Sequence, residues 1–356
     1  MRFHTLKIKA VHQETPDCVS ISLEVPAELQ PEFAYRHGQY LTLRSHIEGK
    51  ELRRSYSLCS APHEGEWRVA IKRVPDGAFS TYAAHALKPG QEIDVMPPQG
   101  RFSVDIDPTA TRHYLAFAAG SGITPILSIV KTILHLEPKS QVTLVYGNRG
   151  RHSIIFKEQL EALKNKHMGR MSLIHILSRE TAEADLFTGR IDGDKTRALL
   201  DKLIDVKSID QALLCGPEEM VLQVTEVLKE RGLPADHIKF ELFGTAPKLT
   251  KARIQLQHTE AQDTESQVVI RVDGKDLSLK MNRFGATILD AGLDAGTDLP
   301  YSCKNGMCST CRAKVVEGSV EMEVNYSLEA DDLAKGYVLT CQSRPTSQRV
   351  VVDYDA

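Results

Sequence analysis

The first 105 residues alternate between apolar and polar positions in short runs, a pattern typical of β-strands with one buried face. The runs predicted as strands are Leu6–Val11, Val19–Glu24, Tyr40–Arg44, Trp67–Arg73 and Glu92–Met96. Glycine and proline residues separate these runs, and one helix is predicted at Phe79–Leu87. Several short strands at this spacing predict a sandwich or a closed barrel.

From about residue 110 the pattern changes to apolar runs that alternate with longer helical segments. The apolar runs are Tyr114–Ala119, Val142–Tyr146, Met171–Leu177 and Gln211–Cys215. The helices are predicted near 124–136, 153–166, 193–203 and 217–231. Strands that are apolar on both faces and alternate with helices predict a parallel α/β sheet of the nucleotide-binding type.

The chain after Phe243 is polar and lacks clear periodicity up to a new strand at Val268–Val272. A turn at Asp273–Gly274, a short helix near 287–295 and further strands follow, which predicts a small α+β domain. The predicted organisation is therefore a barrel at 1–107, an α/β domain at 108–245, a linker at 246–265 and an α+β domain at 266–356.

Charge and hydropathy exclude several kinds of partner. The 356 residues carry 44 basic and 47 acidic side chains, a net charge of −3, whereas phosphate-backbone binding needs a basic surplus. We therefore expect no nucleic-acid partner. The apolar runs are far shorter than the ~20 residues of a membrane span, and the N-terminus shows no secretory signal. We expect no membrane association and a cytoplasmic location.

Four of the seven cysteines lie close together near the C-terminus, as Cys303-x4-Cys308-x2-Cys311 followed after 29 residues by Cys341. Three thiolates from one tight loop and a fourth from elsewhere suit a 2Fe-2S cluster with two thiolates on each iron. Zinc ribbons instead use two separated C-x2-C pairs, and an odd number of cysteines suits a disulfide framework poorly. Zinc and a disulfide remain alternatives, and the cluster is favoured over both.

A resemblance supports the cluster. The run LPYSCKNGMCSTCRAKVVEGSV at 299–320 resembles plant-type ferredoxins, and the resemblance covers about the last 90 residues. It implies a β-grasp ferredoxin domain in which the four cysteines hold the metal.

Two short motifs in the first domain suit a flavin. Arg54, Tyr56 and Ser57 follow one another at a strand end, and they offer a cation for phosphate, an aromatic ring and a hydroxyl. Gly77 and Ser80 open the predicted helix, where free N–H groups favour phosphate. The alternatives are a solvated strand end for the first motif and a turn with a helix cap for the second.

Two further motifs follow strands of the α/β domain. Gly120, Gly122 and Thr124 lie between an apolar strand and a helix, and Cys215 and Gly216 end another strand. Ligands of such sheets bind at the carboxyl ends of the strands, where glycines let phosphates approach the backbone. We do not expect Cys215 to be a nucleophile, because no activating His or acid lies nearby in the sequence.

The order of these four motifs resembles the ferredoxin–NADP reductase superfamily over residues 1–243. The resemblance implies an antiparallel flavin barrel followed by a nicotinamide-nucleotide domain, with FAD preferred over FMN. It implies the following roles: Arg54, Tyr56 and Ser57 at the flavin, Gly77 and Ser80 at its phosphates, Gly120, Gly122 and Thr124 at the phosphates of the nicotinamide nucleotide, and Cys215 and Gly216 near the nicotinamide. One departure is His37, which stands where the family usually has proline and receives no role.

The preference for NADPH over NADH depends on a cation for the 2′-phosphate. Ser178 and Arg179 follow the strand that ends at Leu177, where NADP enzymes of the superfamily place a Ser-Arg pair, and Arg149 could assist. The alternative is a helix cap beside a surface arginine. NADPH is favoured.

These sites in series predict an electron relay from NADPH through FAD to the 2Fe-2S cluster and on to an outside acceptor. Residues 316–333 carry six acids and no base, which indicates either a docking face for a basic partner or a solvated surface. The domain order resembles reductase components of multicomponent oxygenases. Within them, the run EMEVNYSLEADDLAKGYVLTCQS at 321–343 and the overall length resemble those that serve a di-iron epoxidase subunit acting on phenylacetyl-CoA. Alternatives are another ring-hydroxylating or demethylating oxygenase, a redox-sensing regulator, and a zinc-stapled structural module.

Overall fold

The computed structural model describes residues 2–181, 184–243 and 265–356, which fall into two compact units, one within 2–243 and the other within 265–356. The predicted linker 246–265 lies outside the described residues except for Glu265, where a strand begins. The exact domain boundaries stay a prediction.

Six antiparallel strands and one helix form the first part of the larger unit. They are β1 (His4–Thr15), β2 (Cys18–Glu24), β3 (Tyr40–Ile47), β4 (Lys50–Ser57), β5 (Trp67–Lys72), β6 (Glu92–Val95) and α1 (Ala78–His85). The strand order is β4-β3-β6-β1-β2-β5, and a bridge between Leu58 and Val69 joins the two edges. The sheet is therefore a closed barrel, one of the two predicted arrangements.

Alternate positions of the barrel strands supply its core. Leu6 and Ile8 on β1 and Leu41 and Leu43 on β3 are at most 1% exposed, as the two-residue period of a strand requires. His37 lies just before β3, and its Nε2 is 3.0 Å from the Val104 carbonyl oxygen. Burial lowers the pKa of His37 to about 4, so the ring is neutral and its role is structural.

A five-stranded parallel sheet with helices forms the second part of this unit. Its elements are β7 (His113–Ala119), α2 (Ile123–Leu136), β8 (Gln141–Asn148), α3 (Lys157–Lys166), β9 (Met171–Leu177), α4 (Gly193–Lys202), β10 (Gln211–Gly216), α5 (Glu218–Glu230) and β11 (Ile238–Leu242). The order is β11-β10-β7-β8-β9. The chain thus leaves β7 in one direction and later returns to its other side at β10, which creates a topological switch point between these strands.

The predicted helix near 153–166 begins later than expected. Residues Arg151–Ser153 form a 3₁₀ turn, and α3 starts after Phe156, whose φ of +60° breaks the helical conformation. Ile154, Ile155 and Phe156 are buried in the core, so tertiary packing overrides the local helical pattern there. Strand β11 was not predicted, because only two of its five residues are buried.

The smaller unit has a mixed sheet and two short helices. Its elements are β12 (Glu265–Val272), β13 (Lys275–Asn282), α6 (Ile288–Asp294), β14 (Arg312–Glu317), β15 (Val320–Met322), α7 (Ala330–Ala334), β16 (Tyr337–Leu339), β17 (Ser343–Pro345) and β18 (Arg349–Asp353). The main sheet has the order β13-β12-β18-β14-β16, with β12 and β18 parallel. The α+β architecture is as predicted. No helix in the part of the chain that the structure describes is long and apolar enough to cross a membrane.

Truncation of Leu43 tests the barrel core. Leu43 is fully buried on β3, so Leu43→Ala should lower the free energy of unfolding by about 2–5 kcal/mol through lost packing and a residual cavity. Urea denaturation followed by circular dichroism measures the loss. The control is Leu203→Ala at a side chain 51% exposed, which should change stability little. Equal losses in the two variants would contradict this account of the core.

Candidate functional site: two strand-end crevices and a four-cysteine loop

Strand β4 brings the first flavin motif to the end of the barrel. Tyr56 packs its ring 5.8 Å from that of Phe79, and Ser57 is buried as the last residue of the strand. Burial raises the pKa of Tyr56, which keeps the phenol neutral. The side chain of Arg54 is exposed, whereas the neighbouring Arg53 is buried against Glu51. Arg54 is therefore the arginine of this pair that stands at the surface, where a phosphate can reach it.

The turn before α1 holds the second flavin motif. A Cβ on Gly77 would meet the side chain of Val74 and lie 2.5 Å from Ser80 Oγ, so only glycine fits. The Ser80 hydroxyl accepts from the Val74 N–H at 3.2 Å and donates to the Gly77 carbonyl at 3.1 Å. These contacts match the turn-and-cap alternative for Ser80. An open groove of about 360 Å³ lies beside Gly77 and continues to Tyr82.

The turn between β7 and α2 lies directly against the end of β10. Gly120 has a φ of +54°, and a Cβ on Gly122 would collide with the carbonyl group of Cys215. A Cβ on Gly216 would lie 2.7 Å from Met220 Cε. Gly122 and Gly216 thus let the strand ends pack closely at the switch point, while Gly120 leaves backbone open where a dinucleotide phosphate can approach it.

Two hydrogen bonds hold this turn. Tyr146 on β8 donates its hydroxyl to the Gly120 carbonyl at 2.9 Å. Thr124 is buried and donates its hydroxyl to the Ser121 carbonyl at 3.0 Å. Because the Thr124 hydroxyl is engaged within the turn, the backbone N–H groups are the donors best placed for a phosphate.

A junction forms where β4 approaches the ends of β10 and β11. The Ser57 hydroxyl donates to Glu241 Oε2 at 3.4 Å, and the strand register pairs Glu241 with Cys215. Burial, and then the Glu241 carboxylate, hold the pKa of Cys215 well above its ordinary value, so this cysteine is a neutral thiol. The structure therefore brings a predicted flavin residue and a predicted nicotinamide residue to one carboxylate.

Sequence reasoning missed Glu241 and Lys72. An isolated acid within the apolar run Phe240–Phe243 was the available sign of Glu241. Lys72 ends β5, and its Nζ lies 3.7 Å from the position a Cβ would take on Gly120 and 3.6 Å from Asp17 Oδ2. A barrel lysine thus places its positive charge beside the glycine turn of the α/β domain, and only the tertiary structure reveals this contact.

The ends of β8 and β9 bring two arginines together. The Arg179 N–H donates to the Arg149 carbonyl at 2.8 Å, and the Ser178 N–H donates to the Asn148 carbonyl at 2.9 Å. The side chains of Arg149 and Arg179 are both exposed. Two guanidinium groups on hydrogen-bonded neighbouring segments make a surface suited to a phosphate group.

The four C-terminal cysteines form two pairs. Hydrogen bonds link the thiols of Cys303 and Cys308 and those of Cys311 and Cys341. Backbone N–H groups also point at the sulfurs, with the Asn305 nitrogen 3.3 Å from Cys303 Sγ and the Cys303 nitrogen 3.5 Å from Cys308 Sγ. Two pairs of thiols suit two metal ions with two sulfur ligands each from the protein.

The charge on the sulfurs fits a cluster. The Cys308 thiol, together with backbone N–H groups, lowers the pKa of Cys303 to about 7. The Cys311 thiol and the Gln342 amide lower the pKa of Cys341. The lowered pKa of Cys303 and of Cys341 favours the thiolate at one sulfur of each pair, and the thiolate is the form that binds metal.

Two further observations concern zinc and a disulfide, the alternatives to a 2Fe-2S cluster. Across residues 2–181, 184–243 and 265–356 no three His, Cys, Asp or Glu side chains are placed around a single metal ion, and every cysteine is a free thiol. The Ser302 hydroxyl beside Cys303 is buried and finds no hydrogen-bond partner among the described residues. A two-iron cluster would offer its bridging sulfides as further acceptors beside the cysteine sulfurs.

The acidic segment 316–333 is less negative than its sequence suggests. Asp332 is buried and paired with Arg312 at 3.2 Å. Glu317 pairs with Arg349 at 3.0 Å, and Glu323 pairs with Arg344, also at 3.0 Å. Asp331 lies 4.0 Å from Lys335. Because nearby cations offset four of the six acids, the structure favours the solvated-surface alternative.

Family models match all three parts of the chain. The oxidoreductase FAD-binding domain matches residues 5–104, the oxidoreductase NAD-binding domain matches 117–226, and the 2Fe-2S iron-sulfur cluster binding domain matches 270–346. Together with the crevices and the cysteine loop, they define an oxidoreductase that uses FAD, a nicotinamide nucleotide and a 2Fe-2S cluster. The predicted cofactor classes are confirmed.

Relatives align over nearly the full length. The chain is 45% identical to a subunit of the 1,2-phenylacetyl-CoA epoxidase of Escherichia coli strain K12, over 99% of this chain and 98% of that protein. It is 35% identical to the 3-ketosteroid-9-alpha-monooxygenase ferredoxin reductase component of Rhodococcus rhodochrous, over 98% and 96%. The chain belongs to the family of reductase components of multicomponent oxygenases, and its partner is an oxygenase.

A solved structure shares the fold. Phthalate dioxygenase reductase superposes with a TM-score of 0.61 at 23% identity, covering 99% of this chain and 98% of that one. It supports the fold of each part, namely an antiparallel barrel, a parallel sheet with helices and an α+β domain.

Replacement of Cys341 tests the four-cysteine loop. Cys341→Ser should remove a thiolate from the second pair and cause loss of iron, of the visible absorption of the cluster and of electron transfer beyond the flavin, since the cluster needs four ligands. Iron analysis and absorption spectra measure this against about two irons per parent chain. The control Cys18→Ala, at a buried cysteine of the barrel, should keep the iron. A Cys341→Ser protein with full iron and unchanged onward transfer would refute the assignment.

Proposed function

We propose that this protein passes electrons from NADPH through FAD and the 2Fe-2S cluster to the di-iron subunit of an epoxidase that acts on phenylacetyl-CoA. The observation that carries the proposal is the 45% identity to the 1,2-phenylacetyl-CoA epoxidase subunit of Escherichia coli over 99% of the chain. The matched domains supply a hydride acceptor that can release electrons singly and a one-electron carrier. We further propose a cytoplasmic location, because free thiols at all seven cysteines suit a reducing compartment.

On the flavin side, we assign Arg54 to the phosphates, the Tyr56 ring to the flavin face and the Ser57 hydroxyl to the edge of the ring system. The geometry supports this division, because Arg54 is exposed, the Tyr56 ring packs beside Phe79, and Ser57 donates to Glu241. Glu241 orients the Ser57 hydroxyl by accepting a hydrogen bond from it. Gly77 supplies a turn in which backbone N–H groups are the donors, while Ser80 holds that turn in shape.

On the nicotinamide side, the backbone of Gly120 and Gly122 binds the pyrophosphate, and Cys215 and Gly216 form the wall beside the ring. The neutral Cys215 thiol offers a close contact without a charge. Lys72 adds a positive charge near Gly120. Arg179, with Ser178 and Arg149, binds the 2′-phosphate that distinguishes NADPH from NADH.

The Arg179→Ala variant tests the nucleotide preference. Loss of a charge-assisted phosphate contact should lower kcat/KM for NADPH by about 10- to 100-fold while leaving that for NADH nearly unchanged. Steady-state reduction of ferricyanide with each nucleotide measures the ratio. The control is Arg36→Ala, at an exposed arginine paired with Asp105, which should alter neither value. Equal losses with both nucleotides would refute a 2′-phosphate site.

Reconstitution tests the acceptor. The purified protein, mixed with a di-iron phenylacetyl-CoA epoxidase subunit and NADPH, should support epoxidation of phenylacetyl-CoA in proportion to cluster content. The comparison partner is the oxygenase of a 3-ketosteroid-9-alpha-monooxygenase, because the reductase component of such a system is also a relative. Turnover with that oxygenase and none with the epoxidase would reject the proposed acceptor while leaving the relay intact.

A further inference from the structure

The residue after the fourth cysteine makes contacts that neither the relay nor the ligand set accounts for. Gln342 is only 8% exposed, and its amide nitrogen carries two protons. This nitrogen lies 3.0 Å from the Lys304 carbonyl oxygen and 3.4 Å from Cys341 Sγ. One side chain therefore bonds to the loop that holds three cysteines and to the sulfur of the fourth.

The backbone of the loop is shaped around this side chain. Lys304 has a φ of +53°, a left-handed conformation that non-glycine residues rarely adopt, and its carbonyl accepts from Gln342. Gly306 has a φ of +73°, and a Cβ there would lie 3.3 Å from Gln342 Cγ. The methylene groups of Gln342 thus pack where the loop has no side chain.

A hydrogen bond to a ligand sulfur has a redox consequence. Reduction of a 2Fe-2S cluster adds one electron, and the added negative charge spreads onto the sulfur ligands. An N–H donor stabilises the reduced cluster more than the oxidised one, which raises its reduction potential. Cys341 Sγ receives such donors from the Gln342 amide and from the backbone of Gly306.

We propose that Gln342 is a positioning residue that ties Cys341 to the cysteine loop and raises the reduction potential of the cluster through its hydrogen bond to the Cys341 sulfur. This role concerns how readily the cluster accepts an electron. It does not depend on the identity of the oxygenase, so it stands or falls separately from the proposed acceptor.

The full-length protein with its cluster loaded provides the test. Gln342→Met keeps the length and packing of the side chain but removes both donors. We expect a more negative midpoint potential, equivalent to a three- to tenfold change in the equilibrium for electron uptake, the upper end being ~59 mV for a one-electron couple. Redox titration followed by the electron paramagnetic resonance signal of the reduced cluster measures the shift.

Two further variants make the result decisive. Gln342→Glu keeps the shape but replaces the amide donor by a carboxylate, so it should shift the potential further and speed iron release to a chelator. Gln267→Met changes an exposed glutamine on β12 of the same unit and should match the parent. Parental potentials in either Gln342 variant at full iron content would overturn the proposal. Loss of iron from both Gln342 variants, with normal flavin content and intact Gln267→Met, would support the tie between Cys341 and the loop.

Discussion

The close packing of two strand ends is the constraint on which the reductase half depends. Parallel strands β7 and β10 lie side by side at the switch point, and Gly122 brings the turn after β7 against the carbonyl of Cys215. Any side chain at Gly122 would push these ends apart. The same packing sets β10 and β11 beside β4, where Ser57 donates to Glu241. Ser57 of the FAD-binding part and Cys215 of the NAD-binding part therefore lie beside the same carboxylate, that of Glu241.

The ferredoxin half has a different requirement, which is to bring four cysteine sulfurs close enough together to bind one cluster. Left-handed residues at Lys304, Gly306 and Ser309 turn backbone N–H groups of the loop inward. The sulfurs are arranged as two hydrogen-bonded pairs, so that one thiol of each pair lowers the pKa of its neighbour. The left-handed backbone of the loop is stabilised by hydrogen bonds from its N–H groups to the cysteine sulfurs and from Gln342 to the Lys304 carbonyl. The Gln342 side chain adds an N–H donor to the cysteine sulfurs beside those of the backbone.

Electrostatics divide between these two tasks. In the reductase half, positive groups such as Lys72, Arg149 and Arg179 lie beside backbone turns suited to phosphates, while the buried Cys215 remains neutral. On the ferredoxin surface, the acidic segment 316–333 is offset by arginines and carries less net charge than its sequence implies. Cations therefore lie beside backbone turns that suit phosphates, whereas acids and arginines largely offset one another along segment 316–333.

The sequence by itself determined the class of each part, because strand and helix periodicities and the cysteine spacing are local properties of the chain. It also pointed to glycine turns at strand ends and to the four cysteines. Only the tertiary structure decided which distant residues share a site: Glu241 reaches Ser57, Lys72 reaches Gly120, and Gln342 reaches the loop at Lys304. It also moved the start of α3 and paired the acids of 316–333 with arginines. Such contacts depend on how sheets stack and close, and no local pattern of residues records that.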